Sequence, residues 1–348
     1  MFYDILTFGS ATLDIFLKSK DFKVIETKKF VTQRGLAVSL GSKIPVDEIE
    51  FATGGGGINT AATFALQNFK VAYCGMIGDD FMGGVIKDEF KKFKISDDFL
   101  ISNSKFHTNL SVILSVPHRE RTILVYKDAS EKLNKEDIPW TKLKSKWFYI
   151  APLSGNLVKI FELLINFAQK NNIKVFLNPG STQLSLPREK IKKLFSKVDI
   201  LILNQEEAAK AVGVDISKEQ KIFSILDQWT KGIFIMTKGP LGVLVSDGQY
   251  VYSTHSLKEK KLIDRTGAGD AFGSGFLTGF LRWSKAIKQK FGLDRIEYAI
   301  QFGSANATSC LEKFGAKNGL LKSGQSIFKW GRLKIKKQRL KNKGFFKK

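Results

Sequence analysis

The chain predicts an α/β protein built on a mostly parallel sheet with helices on both faces. Two observations carry this. From residue 146 onward, short apolar runs of strand length alternate with longer runs of helical spacing. The small or polar residues Gly9, Asn178, Asn204 and Thr237 fall at the ends of such strand-like runs. In a parallel sheet, the carboxyl ends of the strands are where ligands gather, so these four positions point to one shared cleft.

The elements follow in order. Residues 3–9 read as a first buried strand ending at Gly9, with Asp14 in a short loop behind it. Residues 22–52 alternate weakly and carry Gly35, Gly41 and Pro45, which suggests strands and turns outside the main sheet. A helix is expected over 58–69, packing Ala61, Ala62, Ala65, Leu66 and Phe69. A strand over 71–77 and a helix from 81 to 93 come next. Residues 106–127 read as a β-hairpin turning at Pro117–Glu120. Strands are then expected at 146–150, 173–177, 198–203, 232–237 and 242–246, separated by helices at 156–171, 187–196, 205–212 and 218–230. Short strands return over 249–263, and helices over 270–284 and 294–312 close the core. There is no internal repeat.

Composition narrows the class. With 348 residues, 43% hydrophobic and 12% aromatic, the chain is in the globular range. No run approaches the ~18 apolar residues of a membrane span. Asp4 and Asp14 interrupt the N-terminal stretch, which has no basic leader, so no secretory signal is expected. Cys74 and Cys310 read as buried free thiols, consistent with a cytoplasmic protein. Three scattered histidines and two cysteines make a structural zinc site improbable. The net charge of +23 is partly local, because residues 329–348 hold ten Lys/Arg and no acid. That stretch reads as a basic tail, partly disordered or a solvated helix, following a domain over 1–328. Its charge is explained by a general lysine-rich habit, with a nucleic-acid contact as the lesser alternative. A positive field also favours anionic substrates.

The most informative stretch is Asp264-Arg265-Thr266-Gly267-Ala268-Gly269-Asp270-Ala271-Phe272. It runs from a loop into a segment with Phe272, Phe276, Leu277, Phe280 and Leu281 at helical spacing. A small-residue turn at a helix start collects unpaired backbone N–H groups, a geometry that suits a phosphate. Asp270 stands beside that anion. Backbone dipoles and an adjacent carboxylate are what phosphoryl transfer needs: one holds developing charge, the other takes a hydroxyl proton. No Gly-x-x-x-x-Gly-Lys-Ser/Thr segment exists, so this is not a P-loop enzyme.

This stretch closely resembles the second signature of the ribokinase-like (PfkB) carbohydrate kinases. Gly54-Gly55-Gly56-Gly57-Ile58-Asn59-Thr60-Ala61-Ala62 resembles the first, and the resemblance extends over roughly residues 3–320. It implies a three-layer α/β/α sandwich with a small β-lid, drawn here from 14–52 and 106–127. It also implies transfer of the ATP γ-phosphate to a hydroxyl of a small sugar, with a nucleoside as the alternative acceptor. Asp270 would be the general base, and Gly267, Ala268 and Gly269 the anion hole. Asp14, Gly54, Gly55, Gly57 and Asn59 match the acceptor-binding positions. Asn204, Thr237, Gly239 and Gly315 match positions near ATP. Glu207 would serve Mg²⁺ through water, and Asp264 and Thr266 a monovalent cation such as K⁺.

Bland readings stand beside these. Asp14 and Asn59 could be caps, and Asn204-x-x-Glu207 an N-cap box. Lys238 either adds charge at the phosphates or points to solvent. Arg119, Arg121 and Arg265 read either as phosphate or lid contacts or as surface arginines. Gly56 stands where ribokinases commonly carry Lys, which counts against a phosphorylated acceptor. Asn178 lacks the preceding Asp that many sugar kinases show. The apolar lid positions Val112, Leu114, Ile123 and Val125 suit either acceptor packing or a homodimer interface. A catalytically silent binding module is the remaining alternative.

Overall fold

The computed structural model describes residues 1–30, 32–116 and 121–340. The expected turn at Pro117–Glu120, with Arg119 in it, and residues 341–348 of the basic stretch lie outside the described residues.

The first strands in chain order are β1 (Tyr3–Phe8), β2 (Thr12–Lys18), β3 (Lys23–Glu26), β4 (Arg34–Ala37) and β5 (Glu48–Gly54). Next come β6 (Val71–Gly78), β7 (Ser96–Asn103), β8 (Asn109–Ser115) and β9 (Arg121–Tyr126). The series continues with β10 (Ser145–Ile150), β11 (Lys174–Leu177), β12 (Ile200–Asn204), β13 (Ile233–Thr237), β14 (Val243–Ser246), β15 (Tyr250–Thr254) and β16 (Lys336–Arg339). The helices are α1 (Gly56–Leu66), α2 (Phe81–Phe93), α3 (Ala129–Lys132), α4 (Leu157–Lys170) and α5 (Arg188–Phe195). They continue as α6 (Gln205–Val212), α7 (Glu219–Trp229), α8 (Ala268–Arg282), α9 (Lys285–Phe291) and α10 (Arg295–Leu311).

Strands with buried neighbours on both sides form the centre of a ten-stranded sheet, ordered β16-β15-β14-β13-β12-β11-β10-β1-β6-β7. Pairing is parallel from β13 through to β7 and antiparallel from β13 out to β16. Successive side chains point to opposite faces, and both faces are apolar. On β10, Phe148 and Ile150 join one core while Trp147 and Tyr149 join the other. On β12, Leu201 and Leu203 face the first core and Ile200 and Ile202 the second. Helices α4–α7 cover the first face through Phe161, Leu164, Ile191 and Phe223. Helices α1, α2, α8 and α10 cover the second through Phe64, Phe90, Phe276 and Ile300. The result is the expected three-layer sandwich.

A separate four-stranded sheet, β5-β2-β8-β9, forms the lid, and β3 and β4 make a two-stranded hairpin beside it. Here the structure corrects one expectation. Asp14 lies within strand β2, not in a loop, opposite Ala52 of β5 and Ser111 of β8. The strand escaped notice because Asp14 breaks its apolar pattern where it faces the site.

Three further differences have physical causes. Strand β7 was not expected, since Asp97, Asp98 and Asn103 interrupt its pattern, but as a sheet edge it needs only β6 as partner. Trp283 and Ser284 end α8 and restart the chain as α9, with the Ser284 hydroxyl capping Ile287 N. The basic stretch is not wholly a solvated tail, nor does the sheet stop at residue 328. Lys336–Arg339 pair antiparallel with β15 as an edge strand. The Lys337 ammonium holds it there, 2.6 Å from Asp294 and 4.4 Å from the centre of the Tyr250 ring. Leu333 and Ile335 pack on the core just before it.

Candidate active site

The site forms where the starts of α1 and α8 meet at the carboxyl ends of the central strands. Gly267 enters α8 with φ of 75°, the left-handed region that favours glycine. The intrahelical ladder opens at Ala271 N, which donates to Gly267 O at 2.8 Å. The N–H groups of Gly269 and Asp270 therefore precede it, that of Ala268 reaches Arg265 O only at a long 3.4 Å, and no side chain caps the helix from Gly267. A Cβ on Gly269 would meet nothing within 4 Å, so open space lies above these donors. That space belongs to a cleft of about 310 Å³. Thr237, Gly239, Arg265, Ala268, Gly269 and Ser304 line it with the apolar Leu257, Leu262, Phe272 and Leu311.

Asp270 sits one residue further along α8, half-buried, and its Oδ2 accepts a 2.9 Å hydrogen bond from Nδ2 of Asn59 on α1. This contact joins the two signature segments across 211 residues. Burial pushes the Asp270 carboxyl up, while the Asn59 amide and the Lys317 ammonium hold it down. Asp14 lies on the lid side of the same end. Burial raises it to about 6, against the pull of the Ser111 hydroxyl and Lys317. Gly54 passes directly over the Asp14 carboxyl: a Cβ there would come within 2.1 Å of Oδ2. Gly55 and Gly57 are demanded by packing. A Cβ would strike Ser10 O at 2.3 Å and the Tyr73 ring at 2.5 Å respectively.

Asn204 and Thr237 end β12 and β13 in register, side by side. Asn204 and Glu207 form a reciprocal capping box, Glu207 N to Asn204 Oδ1 at 2.8 Å and Asn204 N to Glu207 Oε2 at 2.9 Å. Burial raises the Glu207 carboxyl first, and the charges of Glu206 and Asp270 add to it. No group of three or more metal-ligating side chains occurs among the described residues. Mg²⁺ needs few protein oxygens and keeps several waters. Two carboxylates that repel each other near a phosphate cradle fit such an ion. Lys238 does neither thing expected of it. It pairs with Glu219 at 3.2 Å. Ser304 lines the cleft, whereas Asn306 is a packing residue bonded to Ala271 O and Leu321 N.

The oxygens of Asp264 and Thr266 are already engaged. Arg121, from lid strand β9, donates to Asp264 Oδ1 and Thr266 Oγ1, both at 2.7 Å. Gly315 N donates to Asp264 Oδ2 at 3.1 Å. The guanidinium therefore occupies the Asp264 and Thr266 oxygens that were expected to serve a monovalent cation, and Gly315 holds the Asp264 loop through its backbone N–H. Arg121→Ala is expected to raise KM for ATP about tenfold by freeing the loop that leads into the start of α8. The variant should also become sensitive to K⁺ against Na⁺, while the unmodified protein is not. Initial rates in the two salts check this.

Two residues of this site escaped sequence reading, Lys317 and Glu89. Lys317 is 5% exposed beneath Asn59. Its signal was a lysine set between Phe314 and Leu320-Leu321, in otherwise apolar company.

A helix N-terminus facing open space, with a carboxylate beside it and a small sheet above, is an arrangement that suits phosphoryl transfer. Residues 22–323 match the profile of the pfkB family carbohydrate kinases, and the chain belongs to that family. It is 28% identical over 291 residues to a ribokinase of Haemophilus influenzae, covering 80% of this chain and 88% of that protein. It is 26% identical over 267 residues to a cytidine kinase of Thermococcus kodakarensis, covering 75% and 88%. The fold matches Arabidopsis thaliana ribokinase complexed with ribose and ATP at a TM-score of 0.73, with 17% identity over 92% of this chain and 96% of that one. Among the described residues, no helix is long and apolar enough to cross a membrane.

Proposed function

We propose that the protein transfers the γ-phosphate of ATP to a hydroxyl of a small unphosphorylated sugar. The observation that supports this is the 2.9 Å contact between Asn59 and Asp270, which joins the two signature segments at one place. Asp14 and Asn59 bind acceptor hydroxyls, which need partners in an enclosed site. Asp270 takes the proton of the attacking hydroxyl through the carboxylate oxygen that Asn59 leaves free. The N–H groups of Ala268 and Gly269 hold the charge that develops on the transferred group. Glu207 would hold Mg²⁺ through water, and such an ion would supply positive charge beside the phosphates. The lid sheet excludes water, a competing acceptor. Gly56 brings no cation to the acceptor end, which suits a neutral substrate.

A nucleoside acceptor is the second reading, favoured by the similarity to a cytidine kinase. The test is ADP release from ATP-Mg²⁺ across ribose, fructose, 2-keto-3-deoxygluconate, cytidine and adenosine. A sugar with kcat/KM at least about 10⁴ M⁻¹s⁻¹ is expected. Turnover of nucleosides alone would replace the sugar with the second reading, and no turnover at all would sink both. We further infer that the apolar side chains Ile123 and Val125, exposed on β9, are covered by a second copy of the chain. A monomeric mass in sedimentation would refute that.

A further inference from the structure

The ammonium of Lys317 has no part in the chemistry above, yet three other elements converge on it. Lys317 comes from the loop after α10, Thr53 from β5, Asn59 from α1 and Glu89 from α2. An ammonium has three donors and no acceptor. Here it donates to Thr53 O and to Asn59 Oδ1 at 3.3 Å, and pairs with Glu89 Oε2 at 3.4 Å. Its charge is therefore satisfied in a place where an unpaired one would be very costly.

The consequence lies at Asn59. The two ends of a carboxamide are chemically opposite, one accepting and one donating. Lys317 can only donate, so it claims Oδ1 and turns Nδ2 toward Asp270 Oδ2. A flipped amide would set its oxygen against the carboxylate and its NH₂ against the ammonium, two repulsions at once. We propose that Lys317, anchored by Glu89, is a positioning residue for phosphoryl transfer, acting through Asn59 to hold the amide N–H on Asp270. Asp270 Oδ1 is thereby left free on the Gly56 side, where a Cβ would lie 3.5 Å from it. This rests on the kinase reading above.

The charged groups facing Lys317 are Glu89 from α2, Asp14 from β2 and Asp270 from α8. Asp270 itself also faces Tyr149 of β10, Glu207 of α6 and Cys310 of α10. Burial pulls the ammonium down, and the three carboxylates pull it back.

The experiment is a cycle of Lys317→Met, Asn59→Ala and the double variant, read as kcat at saturating substrates with melting temperatures alongside. Lys317→Met is expected to lower kcat about tenfold or more. KM for ATP should stay within about twofold, since the cleft lies on the other side of Asp270. The double variant should be no slower than Asn59→Ala alone, the signature of one shared path. A Lys317→Met kcat within about twofold of the unmodified protein, or losses that multiply in the double variant, would overturn the proposal. If Lys317→Met does not fold, Glu89→Gln takes its place under the same criteria. An independent readout is the ¹³C titration of the Asp270 carboxyl, which should move upward in Lys317→Met, where the cation that holds it down is gone. If the unmodified protein phosphorylates nothing, the kinase reading fails on its own, and an unmoved Asp270 titration then overturns this inference separately.

Discussion

Asp270→Asn is expected to lower kcat by about 10²–10⁴-fold while leaving KM for ATP nearly unchanged. The substitution keeps the size of the side chain and leaves an oxygen to accept from Asn59. What it removes is the ability to take a proton from the acceptor hydroxyl. Stability should move the other way. Burial raises the Asp270 carboxyl, so the folded protein disfavours its ionised form. At neutral pH the charge is a penalty, and it is relieved as pH falls through the folded-state value. The Asn variant should therefore melt higher than the unmodified protein at pH 7, with the gap closing on acidification. ADP release and melting curves at several pH values read both. A variant that lost activity and melted lower would mean that Asp270 supports the fold more than the chemistry.

Gly267→Ala should damage fold and activity together. At φ of 75° any side chain is strained, and a Cβ would meet the Ala316 Cβ at 2.4 Å and its Cα at 2.8 Å. Strain of this kind costs about 1–3 kcal/mol. The displaced neighbour belongs to the loop that carries Lys317. Loss of aligned anion-hole donors should lower kcat by about 10²–10³-fold. Gly269→Ala is the matched control. Its Cβ has no atom within 4 Å and its backbone is ordinary helix. It should melt normally and yet slow turnover, because the methyl enters the space meant for the phosphoryl group. If Gly269→Ala turned over at the unmodified rate, the anion would have to bind elsewhere.

Much of this was legible in the chain, and the reason is local. The strands β11, β12 and β13 are short apolar runs that lead into or end on Asn178, Asn204 and Thr237, and helices such as α4 bury Ile160, Phe161 and Leu164 on one stripe. Those patterns are set by burial on two faces, and any reader of spacing finds them. The start of α8 was legible for the same reason, since Gly267-Ala268-Gly269-Asp270 encodes its own backbone geometry. Strand β2 and the position of Lys317 were not. Asp14 interrupts a strand because it faces a site assembled by other segments. Lys317 is buried because Glu89, 228 positions away by the numbering, stands opposite it. Arg121 likewise reaches Asp264 across 143 residues. Such pairings exist only after folding and leave no periodic trace.

The four basic or amide residues of β16 have a consequence for how copies of this protein meet. A long sheet offers its outermost strand as a template on which another chain can build, and an unprotected rim invites indefinite stacking. Here the rim is Lys336-Lys337-Gln338-Arg339, all exposed, with only Lys337 drawn back toward Asp294. Like charges meeting edge to edge repel, so the strand closes the sheet while refusing a further neighbour. Stripping it away would bare β15, with its Val251 and Tyr252, and turn a soluble rim into a sticky one.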